Sequence, residues 1–253
     1  QIQTITSHLG TFQLLDFSEI QQSGSYFIEA DKTVTQPFRI DPDIWEQTIW
    51  KALNFFYVER CGTLIPGVHG TCHRDWTCVH GDKSLVINGG WHDAGDFTQG
   101  LRNTGEAVYA MFSLAEQMHK RGDDSSLFER LLEEAQWGLD WILKTSFGDG
   151  FRNEGSVNSR RTNGIIGDFD DVTSIAKNTP KSNFIASSAE AIAYRVLKER
   201  DPRLANYSLK MAKADWQFAV EKLILNEEPA SNAVWSVSFD SGNILHEVAS
   251  AGI

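Results

Sequence analysis

Residues 1–40 carry short runs in which apolar and polar positions partly alternate, a pattern typical of β-strands. The runs are residues 12–17, 25–29 and 33–40, and turn-forming residues separate them. A β-sandwich needs about seven strands and about 100 residues, so these strands are either a small appendage or the end of a sandwich. We favour the second interpretation and predict that residues 1–40 are the C-terminal part of a β module.

From Asp41 the apolar positions recur at intervals of three and four, which indicates amphipathic helices. Pro42 suits the first turn of the first helix, which is predicted to run to about Arg60. The later predicted helices are residues 104–121, 125–145, 183–199 and 203–225, and a sixth that begins near Asn243. No strand pattern is evident after residue 40, so we predict a mainly α fold in which residues 41–253 form a second domain of helical hairpins.

Two long stretches between these helices, residues 61–103 and 146–182, follow neither pattern. Loops of that length in a compact domain are usually functional or disordered. The first stretch holds all three cysteines and four of the seven histidines. It is therefore the first place to look for chemistry.

Composition narrows the classes of function. The 253 residues carry a formal net charge of −11, which disfavours counterion-release binding to nucleic acid or anionic lipid. No run of 18 apolar residues is present, so the sequence predicts no membrane span. A neutral partner suits this charge better, and the chain is rich in aromatic rings of the kind on which sugars stack.

Residues 89–96 read Gly-Gly-Trp-His-Asp-Ala-Gly-Asp and place two carboxylates, Asp93 and Asp96, three residues apart among glycines. An inverting glycosidase uses such a pair to bind and deprotonate a water molecule. The same spacing occurs in Asx turns and helix caps, which are commoner than catalytic pairs. From spacing alone, both interpretations stay open.

The octapeptide closely resembles the nucleophilic-water motif of family 9 glycoside hydrolases. Residues 55–62 resemble the segment that opens the catalytic domain of that family, and residues 135–144 resemble a later helix. Residues 37–40 are similar to the end of the immunoglobulin-like module that precedes the catalytic domain in some members. The resemblance therefore implies the last strands of an immunoglobulin-like β-sandwich, followed by the first half of an (α/α)6 barrel.

By this resemblance, Asp96 is the general base that takes a proton from the attacking water, and Asp93 helps to hold that water. The family's general acid is a Glu near the C-terminal end of the barrel, so we expect it beyond residue 253. Glu154 and Glu190 lie outside the family's acid motif. This fragment is expected to be inactive without the missing C-terminal half of the barrel. Residues 97–101 depart from the typical pattern, which leaves the preferred polysaccharide open.

Cys61, Cys72, His73 and His92 offer two thiolates and two imidazoles, the ligand types of a tetrahedral structural zinc site. Their spacing alone is irregular, and a disulfide between Cys78 and either Cys72 or Cys61 in an exported protein is the alternative. The four positions resemble the zinc ligands of family members that carry the immunoglobulin-like module. The resemblance thus implies a structural zinc, which would stiffen the loop beside Asp93.

Weaker patterns suggest further ligands. An acidic cluster in the second long stretch offers oxygen atoms to calcium, although a solvated acidic turn is the favoured interpretation. Its members are Asp168, Asp170 and Asp171. Three loop tryptophans are predicted to line sugar subsites by stacking, namely Trp76, Trp91 and Trp235. The tryptophans with helical spacing are predicted to lie in the core.

The predicted function is hydrolysis, with inversion, of β-1,4-linked glucan or a related polysaccharide. The protein is expected to be secreted, periplasmic or held at the cell surface. A non-catalytic carbohydrate-binding or scaffold protein that keeps the barrel cleft is the alternative. A Glu in the family's C-terminal motif distinguishes the enzyme from the binding protein.

Overall fold

The structure, a computed structural model, describes residues 2–30, 32–93, 98–156 and 162–224. The chain divides into two compact units, Gln1–Ala52 and Leu53–Ile253. The domain boundary predicted after residue 40 falls between the last N-terminal strand and the first helix. Helices dominate the second unit, in agreement with the predicted mainly α fold.

The first unit contains six short strands that pair in three separate two-stranded sheets. They are β1 Ile2–Ser7, β2 Gly10–Leu15, β3 Gly24–Tyr26, β4 Glu29–Ala30, β5 Thr33–Val34 and β6 Phe38–Ile40. β1 and β2 form a hairpin in which Ile2 faces Leu15 across the ladder. The sequence pattern missed β1, and it joined β5 and β6 into one strand. These strands are compatible with an immunoglobulin-like module, which stays a prediction.

The described residues contain five α-helices, and each corresponds to a helix predicted from the apolar spacing. They are α1 Glu46–Val58, α2 Leu101–Lys120, α3 Ser126–Lys144, α4 Pro180–Leu197 and α5 Pro202–Ile224. The sixth predicted helix, near Asn243, lies outside the described residues. None of the described helices combines the length and the apolar composition that a bilayer crossing requires.

Helices α2 to α5 pack as neighbours because their apolar stripes meet and small residues permit close approach. Gly105 of α2 lies so close to α4 that a β-carbon there would come within 2.4 Å of Ile185. Thr179 caps α4, since its hydroxyl accepts a hydrogen bond from the backbone N–H of Ser182 at 3.3 Å. Short turns join α2 to α3 and α4 to α5, as expected for helical hairpins.

The expectation of no strands after residue 40 is wrong. β7 Trp76–His80 pairs with β8 Lys83–Val86 and also with β11 Val172–Ile175, which lies parallel to β7. Two shorter strands, β9 Gln99–Gly100 and β10 Gly155–Ser156, pair with each other. The pairing partners are up to about a hundred residues apart, so local alternation carried little of this information. These strands bring the two long irregular stretches together.

Candidate active site and metal centre

Backbone hydrogen bonds join the first half of the octapeptide to the residues that follow α1. The backbone N–H of His92 donates to the carbonyl of Glu59 at 2.9 Å, and the N–H of Cys61 donates to the carbonyl of Gly90 at 2.9 Å. Gly90 has φ 62°, and a β-carbon on it would lie 2.9 Å from the ring of Trp141. Glycine is therefore required here both for the backbone conformation and for contact with α3.

Trp91 links this segment to a buried charge network. Its indole N–H donates to Oε1 of Glu134 at 2.8 Å, and the guanidinium of Arg60 donates to the same carboxylate at 3.1 and 2.9 Å. Glu134 is fully buried, and its charge is balanced by Arg60 and Arg130. Gly138 makes room for the indole, because a β-carbon there would approach it to 2.3 Å.

Asp93 points the opposite way and is exposed. Its backbone N–H donates to the carbonyl of Thr98 at 3.0 Å, and its Oδ2 accepts a hydrogen bond from the side-chain amide of Asn103 at 2.8 Å. Gly100, the N-cap of α2, lies beside the same oxygen. We call Asp93, Gly100 and Asn103 the Asp93 edge. Asp96 lies outside the described residues, so the separation of the two carboxylates is left as a prediction.

Two glutamates set aside from the sequence have structural roles. Glu190 is fully buried and accepts a hydrogen bond from the Arg152 guanidinium at 3.1 Å. Burial, together with the neighbouring Asp215 carboxylate, raises the pKa of Glu190 well above its ordinary value. Glu154 accepts a hydrogen bond from the hydroxyl of Ser182 at 2.9 Å. A fully buried Glu190 that accepts a hydrogen bond from Arg152 has no surface with which to protonate a polysaccharide.

The predicted sugar contacts of Trp76 and Trp91 are wrong. Trp76 is 1% exposed and lies in a core cluster with Cys78 and Ile87, and Trp91 is 4% exposed. Neither ring offers a face on which a sugar could stack. Trp235 lies outside the described residues.

Gln99 stands within the segment in which the sequence departs from the family pattern, and it points inward. It is 1% exposed, and its side-chain amide donates to the carbonyl of Gly89 at 2.6 Å. Gln99 therefore supports the octapeptide from the interior of the protein and offers no surface to a substrate. Sequence reasoning missed Glu134 and Asn103, since a helical Glu and a helical Asn give no signal of their distant partners.

Cys61, Cys72, His73 and His92, which we call the metal cluster, come together as predicted. All four offer a ligand atom, and these atoms lie within 4.8 Å of one another. Sγ of Cys61 is 3.9 Å from Sγ of Cys72 and 3.2 Å from Nδ1 of His73. Nε2 of His92 is 3.6 Å from Sγ of Cys72 and 3.1 Å from Nδ1 of His73. Zinc bond lengths of about 2.0–2.3 Å give tetrahedron edges of about 3.3–3.8 Å, so the four atoms fit such an ion.

The surroundings of the metal cluster favour metal binding. Hydrogen bonds from Cys61, His73 and His92 lower the pKa of the Cys72 thiol, whereas the hydrogen bond with Cys72 and burial raise the pKa of Cys61. A cation among these atoms favours the thiolate form of both. His73 has φ 53°, an uncommon backbone conformation for a residue other than glycine. Strain of this kind concentrates at ligand and active sites.

The alternative disulfides are absent, because Cys61, Cys72 and Cys78 are all free. Cys78 lies on β7 in a core cluster with Trp76 and Ile87, and burial raises the pKa of its thiol. His80 stacks on Phe151 with ring centroids 3.8 Å apart. Neither residue belongs to the metal cluster.

The acidic cluster differs in membership from the predicted one. Carboxylate oxygens of Asp75, Asp170 and Asp171 lie within 4.8 Å of one another, and Asp75 takes the place expected for Asp168. Asp168 instead accepts a hydrogen bond from the side-chain amide of Asn163 at 2.7 Å. Asp75 is buried and accepts from the hydroxyl of Thr162 at 2.6 Å. Calcium binding here stays a prediction.

Comparison with known proteins identifies the family. The sequence profile described as glycosyl hydrolase family 9 matches residues 45–244. Endoglucanase C of Cellulomonas fimi is 27% identical over 92% of this chain, and endoglucanase D of Acetivibrio thermocellus is 26% identical over 92%. The chain belongs to glycosyl hydrolase family 9. It spans 25% and 40%, respectively, of the lengths of these two relatives.

Solved structures support the fold. The Zn-binding triple mutant of the family 9 endoglucanase J30 superposes with a TM-score of 0.63 at 25% identity, over 87% of this chain and 45% of that one. A structure described as Bacteroides ovatus GH9 superposes with a TM-score of 0.62 at 19% identity, over 90% of this chain and 49% of that one. The helical unit therefore corresponds to part of a family 9 (α/α)6 barrel, as predicted.

Proposed function

We propose that this chain is part of an inverting glycoside hydrolase that cleaves β-1,4-linked glucan or a related polysaccharide. Asp96 removes a proton from the attacking water, and Asp93 helps to hold that water in line with the glycosidic bond. A Glu of the barrel beyond residue 253 donates a proton to the leaving oxygen. The single observation that carries this proposal is the family 9 match, which includes the octapeptide with both aspartates.

The position of Asp93 supports this assignment. An exposed carboxylate held by an amide donor is accessible to substrate and water, and its orientation is fixed. The adjacent residues Trp91 and His92 are buried, so the loop that carries Asp93 is anchored on its other side. A rigid support of this kind is what a positioned general base requires.

The non-catalytic alternative has less support. The relatives that match this chain are named endoglucanase, cellodextrinase and cellulose 1,4-β-cellobiosidase. A binding protein descended from them would have no need to keep both aspartates and the support of Asp93. Activity on a panel of substrates would distinguish cellulose, xyloglucan and mixed-linkage glucan. The same panel would distinguish endo from exo cleavage.

The test uses the full-length protein on that panel of β-glucans. We expect hydrolysis by the parent and loss of at least about 10³-fold in kcat for Asp96→Ala, because the general base is removed. The matched control is Asp123→Ala, a change in the turn between α2 and α3, which should retain the parent rate. Equal rates for the parent and Asp96→Ala would contradict the assignment of the base. No hydrolysis of any β-glucan by the parent would contradict the function.

We further propose that the metal cluster binds zinc. The supporting observations are the two sulfur and two nitrogen ligand atoms, their tetrahedral separations and their burial. When bound, the ion ties residues 61, 72 and 73 to His92 and so stiffens the segment that precedes Asp93. Its role is structural, because four protein ligands leave no position open for water.

Elemental analysis after dialysis tests this proposal. We expect one zinc per chain in the parent and less than about a tenth of that in Cys72→Ser, since a hydroxyl is a poor substitute for a thiolate. Cys78→Ser, at a buried cysteine outside the cluster, should retain the zinc. A parent protein with only a trace of zinc would contradict the proposal. Export of the protein is likewise proposed, and fractionation of the source cells tests it.

A further inference from the structure

The contact between Asp93 and α2 has a consequence for the reaction. The side-chain amide of Asn103 donates to Oδ2 of Asp93 at 2.8 Å. Asn103 is exposed and is the third residue of α2, so it lies in the first turn of the helix. Its amide is therefore available to orient the carboxylate without serving the helical core.

The start of α2 is itself firmly fixed. The backbone N–H of Leu101 donates to the carbonyl of Glu154 at 2.9 Å, and Gly100 pairs with Gly155 in the β9–β10 ladder. A β-carbon at Gly155 would come within 2.7 Å of the carbonyl oxygen of Gln99, so the two segments touch. Asn103 thus lies in a helical turn whose start is held in place by residues 154 and 155.

The carboxylate of Asp93 lies at the start of α2. Gly100, the N-cap residue of α2, has no side chain with which to cap the helix, and Oδ2 of Asp93 would lie 3.5 Å from a β-carbon placed there. The N-terminal end of a helix attracts acceptor and acidic groups. Asn103 adds a donor that is directed at Oδ2 and so fixes the orientation of the carboxylate.

We propose that Asn103 is a positioning residue of the hydrolase, which fixes the orientation of Asp93 so that this carboxylate holds the attacking water. This inference rests on the proposed function. It assigns to Asn103 no contact with the substrate. The amide acts through Asp93, so its loss should affect the chemical step more than substrate binding.

Kinetics of Asn103→Ala and Asn103→Asp in the full-length protein test the proposal. For Asn103→Ala we expect kcat to fall roughly 10- to 100-fold with KM changed less than about threefold, because a hydrogen bond to a charged group is lost. Asn103→Asp replaces the donor by a like charge and should lower kcat further than Asn103→Ala, because the two carboxylates repel each other.

Arg102→Ala is the matched control, because Arg102 is the exposed neighbour on α2 and its side chain pairs only along the helix with Glu106 in the described contacts. It should leave kcat and KM unchanged. A purely structural role for Asn103 would lower thermal stability and leave the kcat of the folded protein at the parent value. A kcat equal to that of the parent in Asn103→Ala would overturn the proposal while leaving the hydrolase function intact. A parent that hydrolyses no β-glucan would overturn the function, and this inference with it.

Discussion

His92 and Asp93 are adjacent in the sequence, yet they belong to regions that differ in burial and in the contacts that hold them. His92 is 9% exposed and contributes to the metal cluster, where three buried side chains converge with the half-buried Cys72. Asp93 is exposed, and its carboxylate is held at the start of α2 by the side-chain amide of Asn103. The difference indicates that buried, stabilising contacts lie on one side of the segment and an accessible carboxylate on the other.

The strongest way to break this comparison is to remove a metal ligand. Cys72→Ser, or chelation of the parent, should lower the free energy of unfolding by more than about 5 kcal/mol, because metal binding energy is folding energy. Chemical denaturation of the full-length protein with and without added zinc measures the effect. Cys78→Ser serves as the control and should show the same dependence on zinc as the parent, because Cys78 lies outside the metal cluster. A Cys72→Ser protein as stable as the parent would mean that the metal cluster has no structural role.

Loss of Glu134 should have the next largest effect. Glu134→Ala removes the carboxylate shared by Trp91 and Arg60 and leaves the buried Arg60 guanidinium with the exposed Glu133 as its remaining acidic partner in the described contacts, at a cost of about 3–5 kcal/mol in unfolding free energy. Glu133→Ala is the matched control. Its side chain is 59% exposed and accepts from the same guanidinium at 3.1 Å, so its loss should cost less than about 1 kcal/mol. Equal losses of unfolding free energy in the two variants would show that burial does not determine how much each carboxylate contributes to stability.

Glu190 gives a prediction with a defined pH dependence. Its pKa is raised in the folded state, so the folded protein keeps a proton that the unfolded chain releases near its ordinary value of 4.5. The contribution of Glu190 to stability is therefore full below that value and declines as pH rises toward the raised pKa. Glu190→Gln should remove this decline and change stability at low pH by less than about 1 kcal/mol, because it mimics the protonated carboxyl.

Urea titrations of the parent and Glu190→Gln at several pH values measure this difference. Asp215→Asn is the contrasting variant, since Asp215 pairs with the same Arg152 and its removal should destabilise the protein at every pH. A parent and a Glu190→Gln variant with parallel pH dependence would contradict a raised pKa for Glu190.

The smallest expected change in stability is on the Asp93 edge. Asn103→Ala should alter the Tm by less than about 2 °C, because Asn103 is exposed and its amide serves Asp93. Differential scanning calorimetry measures this shift. A loss of stability as large as that of Glu134→Ala would mean that the Asp93 edge, like the metal cluster, mainly stabilises the fold.

The sequence predicted the helices well, because each buries a stripe that recurs every three to four residues. It failed for β11, since its parallel pairing with β7 joins distant residues such as Trp76 and Val172 and leaves no local pattern. The β7–β8 hairpin is local, and the turn between His80 and Lys83 was a signal that the sequence reasoning overlooked. Trp76 and Trp91 were wrongly predicted to be exposed for a related reason. Without a periodic pattern around it, a tryptophan in the sequence gives no indication of whether its ring is buried or exposed. The metal ligands came from family resemblance, and only the folded chain brings Cys61 and His92 together.

Anomer analysis of the first product of hydrolysis, by NMR on the full-length parent beside Asp96→Ala, tests the central claim most directly. An Asp-activated water that attacks from the face opposite the leaving group predicts an α-anomeric product from a β-linked glucan, formed by the parent and not by the variant. A β-anomeric product, or undiminished hydrolysis by Asp96→Ala, would contradict the mechanism.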